Sequence, residues 1–458
     1  MSINTPSLKG LYIKSYGCQM NVYDSERMEE NLENFGYKKV AKPEDASVII
    51  LNTCHIRHNP TENVYSELGR IKQHKDAAKA KGDDVVVIVA GCVAQAEGDI
   101  IIKRAPVVDI VVGTEAYQHL PDMINKVLRD RSSKLIKLDF ETLEKFDALK
   151  SGRKYRGPSA FVSVQEGCDK FCTFCVVPYT RGAEHSRKVS DITEEVKMLA
   201  DKGVKDISLL GQNVNAFHGE GINGTEVSLA KLIELVSNID GIERVRYTTS
   251  HPLNMTDDLI EAHALNPKLM PYLHLPVQSG SNAILKAMNR KHTRDAYIKI
   301  IDRLKALRPD IAFSSDFIIG FPGETDADFN DTLELIRYVK YSQCYSFKYS
   351  QRPGTPADLM PNQVDEAVKD ERLQQIQELL SQQFKDFNSS FLGRTIPILF
   401  DGKGTRTGQN QAKGKSPYLQ AVVVGLADGD DYQNYLGRIK NVQITEVKTN
   451  SLAGIFVD

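Results

Sequence analysis

The stretch "EGCDKFCTFCVVPYTRG", Glu166 to Gly182, sets Cys168, Cys172 and Cys175 within eight positions of a 458-residue chain that has only seven cysteines. Three thiolates at C-x3-C-x2-C spacing can hold three irons of a cubane cluster and leave the fourth open to another ligand. Zinc is the competing reading. Structural zinc sites usually take four ligands in C-x2-C pairs, and His185 is the nearby candidate for a fourth. Six apolar runs, separated by helical stretches, begin at this stretch and continue beyond it: "AFVSVQEG", "DISLLGQN", "RVRYTTS", "YLHLPVQ", "IAFSSDFIIGFPG" and "CYSFKYS". A sixfold β/α repeat predicts a partial TIM-type barrel, two strands short of the eightfold form. Cys168, Gln212, Ser250, Gln278 and Asp316 are read as following the strands, on the face where such barrels carry their sites. Polar turns alone would give the same pattern less regularly.

Upstream, "LYIKSYG", "ASVIILNT", "DVVVIVAG" and "VDIVVGT" alternate with amphipathic stretches, the first of them "DSERMEENLENFGY", read as capped near Asp24 or Ser25. Strand–helix alternation predicts a parallel sheet with helices on its faces. Cys18, Cys54 and Cys92 close "YIKSYGC", "VIILNTC" and "VVIVAGC", so all three fall at the carboxyl edge of that sheet, where open α/β folds place ligands. A single cysteine there would read as a small buried hydrophobe. Three at equivalent strand ends read as a shared metal site.

The charge balance, 58 Lys+Arg against 60 Asp+Glu, implies no overall nucleic-acid or membrane affinity, so any basic patch is local. The first residues lack a signal-peptide pattern, and no stretch is long and apolar enough to span a membrane. Sparse, odd-numbered cysteines fit a reduced, cytoplasmic setting. Residues 141–158 read as a charged Gly/Pro-containing linker, and Val364 to Phe391 as a long helix. From Gly393 onward, Gly-rich turns separate alternating strands, "TIPILFDG", "YLQAVVVG", "LGRIKNVQITEV" and "SLAGIFVD", predicting a small antiparallel barrel. Its loop "GKGTRTGQNQAKGKS" carries Lys403, Arg406, Lys413 and Lys415 without an acid, which suits RNA phosphates or an ordinary solvated hairpin. "IIGFPGE" lacks the Walker lysine and reads as a turn after a barrel strand. Cys344 has no clustered neighbour and reads as a core residue, and His55 and His58 in "CHIRHNP" are unassigned.

"CDKFCTFC" resembles the cluster motif of the radical S-adenosylmethionine (SAM) superfamily, whose fold is a partial (β/α)6 barrel. "KSYGCQMNVYDSE", "CTFCVVPYTRGAEHSR", "HLPVQSGSNAILKAMNRKHTR", "SSDFIIGFPGET" and "YSQRPGTPA" together resemble the methylthiotransferases of that superfamily, along nearly the whole chain. The resemblance implies an N-terminal domain over 1–140, the barrel and following helix over 159–390, and a TRAM RNA-binding domain over 391–458. It implies two [4Fe–4S] clusters, one on Cys168, Cys172 and Cys175 and an auxiliary one on Cys18, Cys54 and Cys92. It places SAM against Phe174, Gln212, Asn213, Gln278, Arg290 and Asp316, with a guanidinium suited to the SAM carboxylate. For Arg290 the plain alternative is a surface helix charge.

The implied reaction replaces the hydrogen on carbon 2 of an adenine with a methylthio group. That carbon offers no acid or base a handle, so a cofactor-borne radical is the tool. The implied substrate is dimethylallyl-adenosine beside the anticodon of tRNA, in a loop whose bases can splay out. The implied partners are therefore an anticodon stem-loop and an electron donor, with the chain a monomer. Relatives in the family act instead on a ribosomal-protein aspartate or on threonylcarbamoyl-adenosine in tRNA. A non-catalytic iron–sulfur RNA-binding or redox-sensing protein is the alternative of another class.

Overall fold

The computed structural model describes residues 9–54, 60–140, 157–221, 223–404 and 409–457. His55, His58, Arg406 and nearly all of the expected 141–158 linker lie outside the described residues. The chain forms two compact units. One comprises Met1–Lys154, Glu166–Asp169 and Val176–His185; the other comprises Tyr155–Gln165, Lys170–Cys175 and Ser186–Asp458.

The first unit is built on a six-stranded parallel sheet. Its order across the sheet is Tyr37–Lys39, Lys9–Ser15, Val48–Thr53, Val86–Gly91, Ile110–Val112 and Leu135–Lys137. The two central runs, "VIILNT" and "VVIVAG", are buried at every position, as strands covered on both faces must be. Alternate residues serve opposite cores. Val48, Ile50, Val86 and Ile88 pack with Met28, Leu32 and Ile124 on one face. Ile49, Leu51, Val87 and Val89 pack with Val64, Leu68 and Ile101 on the other. The short edge strands Tyr37–Lys39 and Leu135–Lys137 carry too little pattern to be seen in the sequence.

The first helix departs from the expectation. It runs Gln19–Glu33 with Cys18 at its N-cap position, so Asp24 and Ser25 are inside it and buried rather than capping it. Their polar atoms are used elsewhere: the Ser25 hydroxyl meets Ser15 and accepts from Asn52 Nδ2 (2.9 Å), and Asp24 pairs with an arginine from far along the chain.

In the second unit the six expected strands form, all parallel, in two sheets of three: Ser159–Ser163, Asp206–Leu210 and Arg244–Thr248, then Tyr272–His274, Ala312–Ile319 and Gln343–Lys348. Val245 bridges the two, donating to Lys268 O (2.7 Å) and accepting from Met270 N (3.0 Å). One apolar core, including Val162, Leu209, Val245, Leu273, Phe317 and Ile336, fills the half-barrel. A small hairpin, His218–Glu220 with Glu226–Ser228, is inserted after the second strand. Asp316 lies within the Ala312–Ile319 strand rather than after it, which corrects the expected strand-end position.

The long helix is Glu366–Ser389. It is pinned to the barrel by buried Ile376 and by Arg372, whose guanidinium holds Glu324 (2.8 Å) and Asp326 (2.6 Å). The C-terminal strands close a five-stranded barrel in the order Thr395–Lys403, Gln411–Lys415, Ala421–Gly425, Leu452–Phe456, Ile439–Val447. Two details differ from expectation. The Ala421–Gly425 and Leu452–Phe456 strands pair in parallel while the other pairs are antiparallel. Lys413 and Lys415 sit on a strand, not in a free basic loop, because "QAKGK" pairs on both sides.

This small barrel is fastened to the amino-terminal ends of the half-barrel strands. Arg244, 2% exposed, donates to Lys415 O (2.9 Å) and Pro397 O (2.8 Å). Arg246 donates to Pro417 O (2.6 Å) and Ser416 O (3.3 Å) while pairing with Asp206 (3.2 Å). Burial lowers the Arg244 pKa to about 10, with Asp206 opposing the shift.

Candidate functional site

Cys18, Cys54 and Cys92 come from three strands that are neighbours in the sheet, at their carboxyl ends: Cys18 just after Lys9–Ser15, Cys54 just after Val48–Thr53, Cys92 opening the helix after Val86–Gly91. A polar clasp fixes the edge beneath them. Asn21 donates to Thr53 O (2.8 Å), Asn52 donates to Asn21 O (2.8 Å), and the Thr53 hydroxyl donates to Ala90 O (2.6 Å). Two glycines allow the close approach. A Cβ on Gly17 (φ +105°) would stand 2.1 Å from the Cys54 Cβ, and one on Gly91 (φ +88°) 2.4 Å from Thr53 O. Both positions exclude other residues on space and on backbone conformation.

The thiols are electrostatically unequal. The Cys18 thiol is lowered to about 6, chiefly by a hydrogen bond with Cys54 and also by the positive charge of Arg181, against its burial. Burial raises the Cys92 thiol, while the positive charge of Arg181 pulls it the other way. A thiol poised to ionise, grouped with two others at a built edge, fits ligation of a thiolate-bound iron–sulfur group. Among the described residues no three His, Cys, Asp or Glu side chains converge on the position of a single metal ion.

Arg181 and Glu166 were not singled out in the sequence. Arg181 follows the short helix Val177–Thr180, and its side chain is 3% exposed. It pairs with Asp24 (2.7 Å) and Glu166 (3.4 Å). Cys168 belongs to the same unit, its N–H donating to Gly182 O (3.3 Å).

In the second unit, Cys175 N donates to Cys172 O (2.9 Å), and Arg290 brings Nη1 to 3.6 Å from the Cys172 sulfur. Arg290 is buried and its Nη2 donates to Pro276 O (2.5 Å), so it is not a surface helix charge. Phe174 packs against the cluster of Ile284, Met288, Phe321 and Tyr349. The backbone N–H groups of Gln212 and Asn213 both donate to Gln165 Oε1 (2.9 and 3.1 Å), which fixes the turn after the second strand. Gln278 joins Asp316 through the backbone, Gln278 N donating to Asp316 O (3.0 Å). Asp316 faces His274 at 3.6 Å. Five of the six expected SAM residues thus fall into three local groups, Arg290 with Cys172, Gln278 with Asp316, and Gln212 with Asn213, and Phe174 lies in the Ile284–Met288 cluster.

Among the described residues, eight non-glycine residues have positive φ, and five of them are Phe171, beside Cys172, Thr249 and Gln278, after barrel strands, and Asn289 and Lys291, on either side of Arg290. Strain of this kind persists where surrounding bonds over-determine it, and it gathers at functional sites. Two buried imidazoles also lie here. His251 (lowered to about 2) and His292 (lowered to about 4) are held neutral by burial and by Arg290. Their rings meet edge to face at 5.6 Å. Nothing in "SHPLN" or "KHTR" distinguishes them from loop histidines. Cys344, read as a core residue, is partly buried and packs against the half-barrel core, and burial raises its thiol well above the ordinary range.

Residues 10–113 match the family model described as uncharacterized protein family UPF0004, and residues 162–336 match that of the radical SAM superfamily. A tRNA-2-methylthio-N(6)-dimethylallyladenosine synthase of Maricaulis maris (strain MCS10) is 56% identical over 450 residues, 97% of each chain. One from Rickettsia canadensis (strain McKiel) is 55% identical over 447 residues, 97% of this chain and 99% of that one. The chain belongs to the tRNA-2-methylthio-N(6)-dimethylallyladenosine synthase family. Solved structures give the fold at low identity. The radical SAM methyltransferase TsrM of Kitasatospora setae, with cobalamin and a [4Fe-4S] cluster bound, superimposes with a TM-score of 0.54 at 12% identity, covering 77% of each chain. The cobalamin-dependent radical SAM enzyme OxsB does so with a TM-score of 0.50 at 13% identity, over 82% of this chain and little more than half (56%) of that one. The superfamily implies SAM and an iron–sulfur cluster.

Proposed function

We propose that this chain is a tRNA methylthiotransferase, placing a methylthio group on carbon 2 of the dimethylallyl-adenosine next to the anticodon. The observation that carries the reading is a three-thiol sheet edge in one chain with a radical SAM cysteine motif, within a family whose relatives bear that name. Cys168, Cys172 and Cys175 would hold one [4Fe–4S] cluster, and Cys18, Cys54 and Cys92 a second. When bound, these groups and SAM supply the adenosyl radical and the sulfur that the reaction needs.

The chain's own residues bind and orient. Arg290, buried beside Cys172, is suited to a SAM carboxylate, and the fixed turn at Gln212 and Asn213 to its amino group. Phe174 offers an aromatic face for the adenine, and Gln278 and Asp316 supply polar contacts. Holding two reactants in attack geometry is the main service a protein renders to such chemistry. The division into an N-terminal domain (1–140), a radical SAM barrel with its helix (159–390) and a TRAM-like domain (391–458) follows from the same reading. We place the enzyme in the cytoplasm as a monomer, served by a separate electron donor. Among the described residues no helix is long and apolar enough to cross a membrane.

The test uses anaerobically reconstituted protein with SAM, a reductant, a sulfur source and an anticodon stem-loop, with and without the dimethylallyl group, read by mass spectrometry after digestion. A methylthio adduct only on the prenylated adenosine, lost in Cys168→Ala and in Cys54→Ala, is the expected result. SAM cleavage with unchanged RNA moves the substrate to the ribosomal-protein aspartate or to threonylcarbamoyl-adenosine tRNA. Iron binding without SAM cleavage leaves the sensor reading.

A further inference from the structure

Thr173, between Cys172 and Phe174, is tied down at three atoms. Its N–H donates to Met288 O (3.1 Å), its hydroxyl donates to Ala287 O (2.9 Å), and its carbonyl accepts from Ala357 N (2.9 Å). Ala287 and Met288 end the short helix Asn282–Ala287, whose last carbonyls need donors from outside it. Asn289, the next residue, returns the contact: its Nδ2 donates to Phe171 O (2.9 Å) and to Lys170 O (3.4 Å). These bonds lace the Cys172 loop to the turn that carries Arg290, across 114 to 119 residues of sequence. Phe171 (φ +46°), Asn289 (φ +58°) and Lys291 (φ +56°) all hold left-handed backbone there. Arg290 stands between the last two, its Nη1 3.6 Å from the Cys172 sulfur and its carbonyl accepting from His292 Nδ1 (3.1 Å). A helix end by itself asks only for a left-handed residue, which glycine supplies without strain. The Asn289 carboxamide does what glycine cannot, because it joins the turn to the loop.

We infer that Asn289 is a positioning residue of the Cys172 site: its carboxamide, together with the Thr173 hydroxyl, fixes the Arg290 guanidinium against the cysteine loop. The inference rests on the proposed reading that Cys168, Cys172 and Cys175 hold an iron–sulfur cluster and that Arg290 faces SAM. Asn289 uses its donors on backbone carbonyls, so it acts through Cys172 and Arg290 rather than on the cofactor. Groups one bond removed from a metal ligand hold that ligand in place, and pairing of a guanidinium with a carboxylate is strict about direction. Loosening the lacing therefore loosens iron and SAM together.

The experiment uses the full chain carrying Cys18→Ala, Cys54→Ala and Cys92→Ala, so that only the Cys168 motif can hold a cluster. Asn289→Gly and Asn289→Asp are compared with this parent chain after anaerobic loading with iron and sulfide. Glycine keeps the left-handed backbone and loses the donor. Aspartate keeps the shape but presents an acceptor to two carbonyls. The rate of iron loss to a chelator is read, with the SAM concentration that half-completes the change SAM causes in the electron paramagnetic resonance spectrum of the reduced cluster. Asn289→Gly is expected to weaken iron retention about 10-fold, the low end for groups that support metal ligands. It should also need about fivefold more SAM, the effect of one lost hydrogen bond. Asn289→Asp should do no better in either. An Asn289→Gly chain that matches the parent in both readings overturns the inference and leaves Asn289 a helix stop. Faster iron loss with an unchanged SAM requirement overturns it too, since Arg290 would then be placed without Asn289. If the glycine chain does not fold, the same readings on Asn289→Asp decide. A parent chain that binds no iron refutes the cluster reading itself, and the inference with it.

Discussion

Gln278 offers a direct measure of strain stored at the site. It is buried, its φ is +78°, and the conformation is imposed by two backbone bonds, Gln278 N to Asp316 O and Ile318 N to Gln278 O, both 3.0 Å. A residue with a Cβ in the left-handed region costs about 1–2 kcal/mol. Gln278→Ala removes the carboxamide but keeps the Cβ, so the strain remains. Gln278→Gly removes both. Glycine gives back about 0.5–1 kcal/mol through its greater loss of backbone entropy on folding. The glycine variant should therefore be the more stable of the two by about 0.5–1 kcal/mol, or a melting temperature higher by about 1–4 °C for a unit of this size. Scanning calorimetry of the cluster-free protein reads this difference. SAM binding to the loaded protein should weaken equally in both, since neither carries the amide. An alanine variant as stable as the glycine variant would refute the strain argument. Weakened SAM binding in alanine alone would refute the assignment to the side chain.

Three further outcomes are expected. His263 is buried, its Nε2 shares a hydrogen bond with the Tyr247 hydroxyl (2.7 Å), and burial depresses its pKa from 6.5 to about 3. As pH falls below 6.5 the unfolded chain takes up a proton that the folded chain refuses, so stability is lost, by about 2 kcal/mol between pH 7 and pH 5. Urea unfolding of His263→Gln should show an acid slope shallower by that amount; equal slopes would remove the argument. Gly17→Ala drives a Cβ into Cys54, so it should abolish iron held by the N-terminal cysteines while leaving that of the Cys168 motif, which iron analysis in the two cysteine-deleted backgrounds separates. Arg244→Ala removes two charged hydrogen bonds to the C-terminal barrel, a loss of about 3 kcal/mol or more. Cleavage by a protease near Gly393 should then quicken about 100-fold, and a change under twofold would exclude Arg244 as a fastening.

Much of this was written locally. Continuous apolar runs such as "VVIVAG" announce strands buried on both faces, and a cysteine closing each of three runs announces a common edge. The six barrel runs and the long helix are local too. What the sequence hides is pairing at a distance. Asp24 looks like a helix cap because Asp is a good one, but its partner Arg181 lies 157 residues away, and that bond is worth more than the cap. "QAKGK" looks like a loop because Lys and Gly are poor strand formers, yet two neighbours pair with it. The Arg290 contact with Cys172 spans 118 residues and was reached only by resemblance.

The fastening of the small barrel carries a geometric consequence. Arg244 and Arg246 hold it at the start of the Arg244–Thr248 strand, whereas Thr249 and His251, near Arg290, stand just past that strand's end. Five strand residues at about 3.3 Å each make a wall roughly 17 Å high. On the proposed reading, in which the C-terminal barrel binds RNA and Arg290 faces SAM, an RNA that reaches both ends of this wall must be at least that long, so a nucleoside or clipped loop would be a poorer substrate than an intact stem-loop.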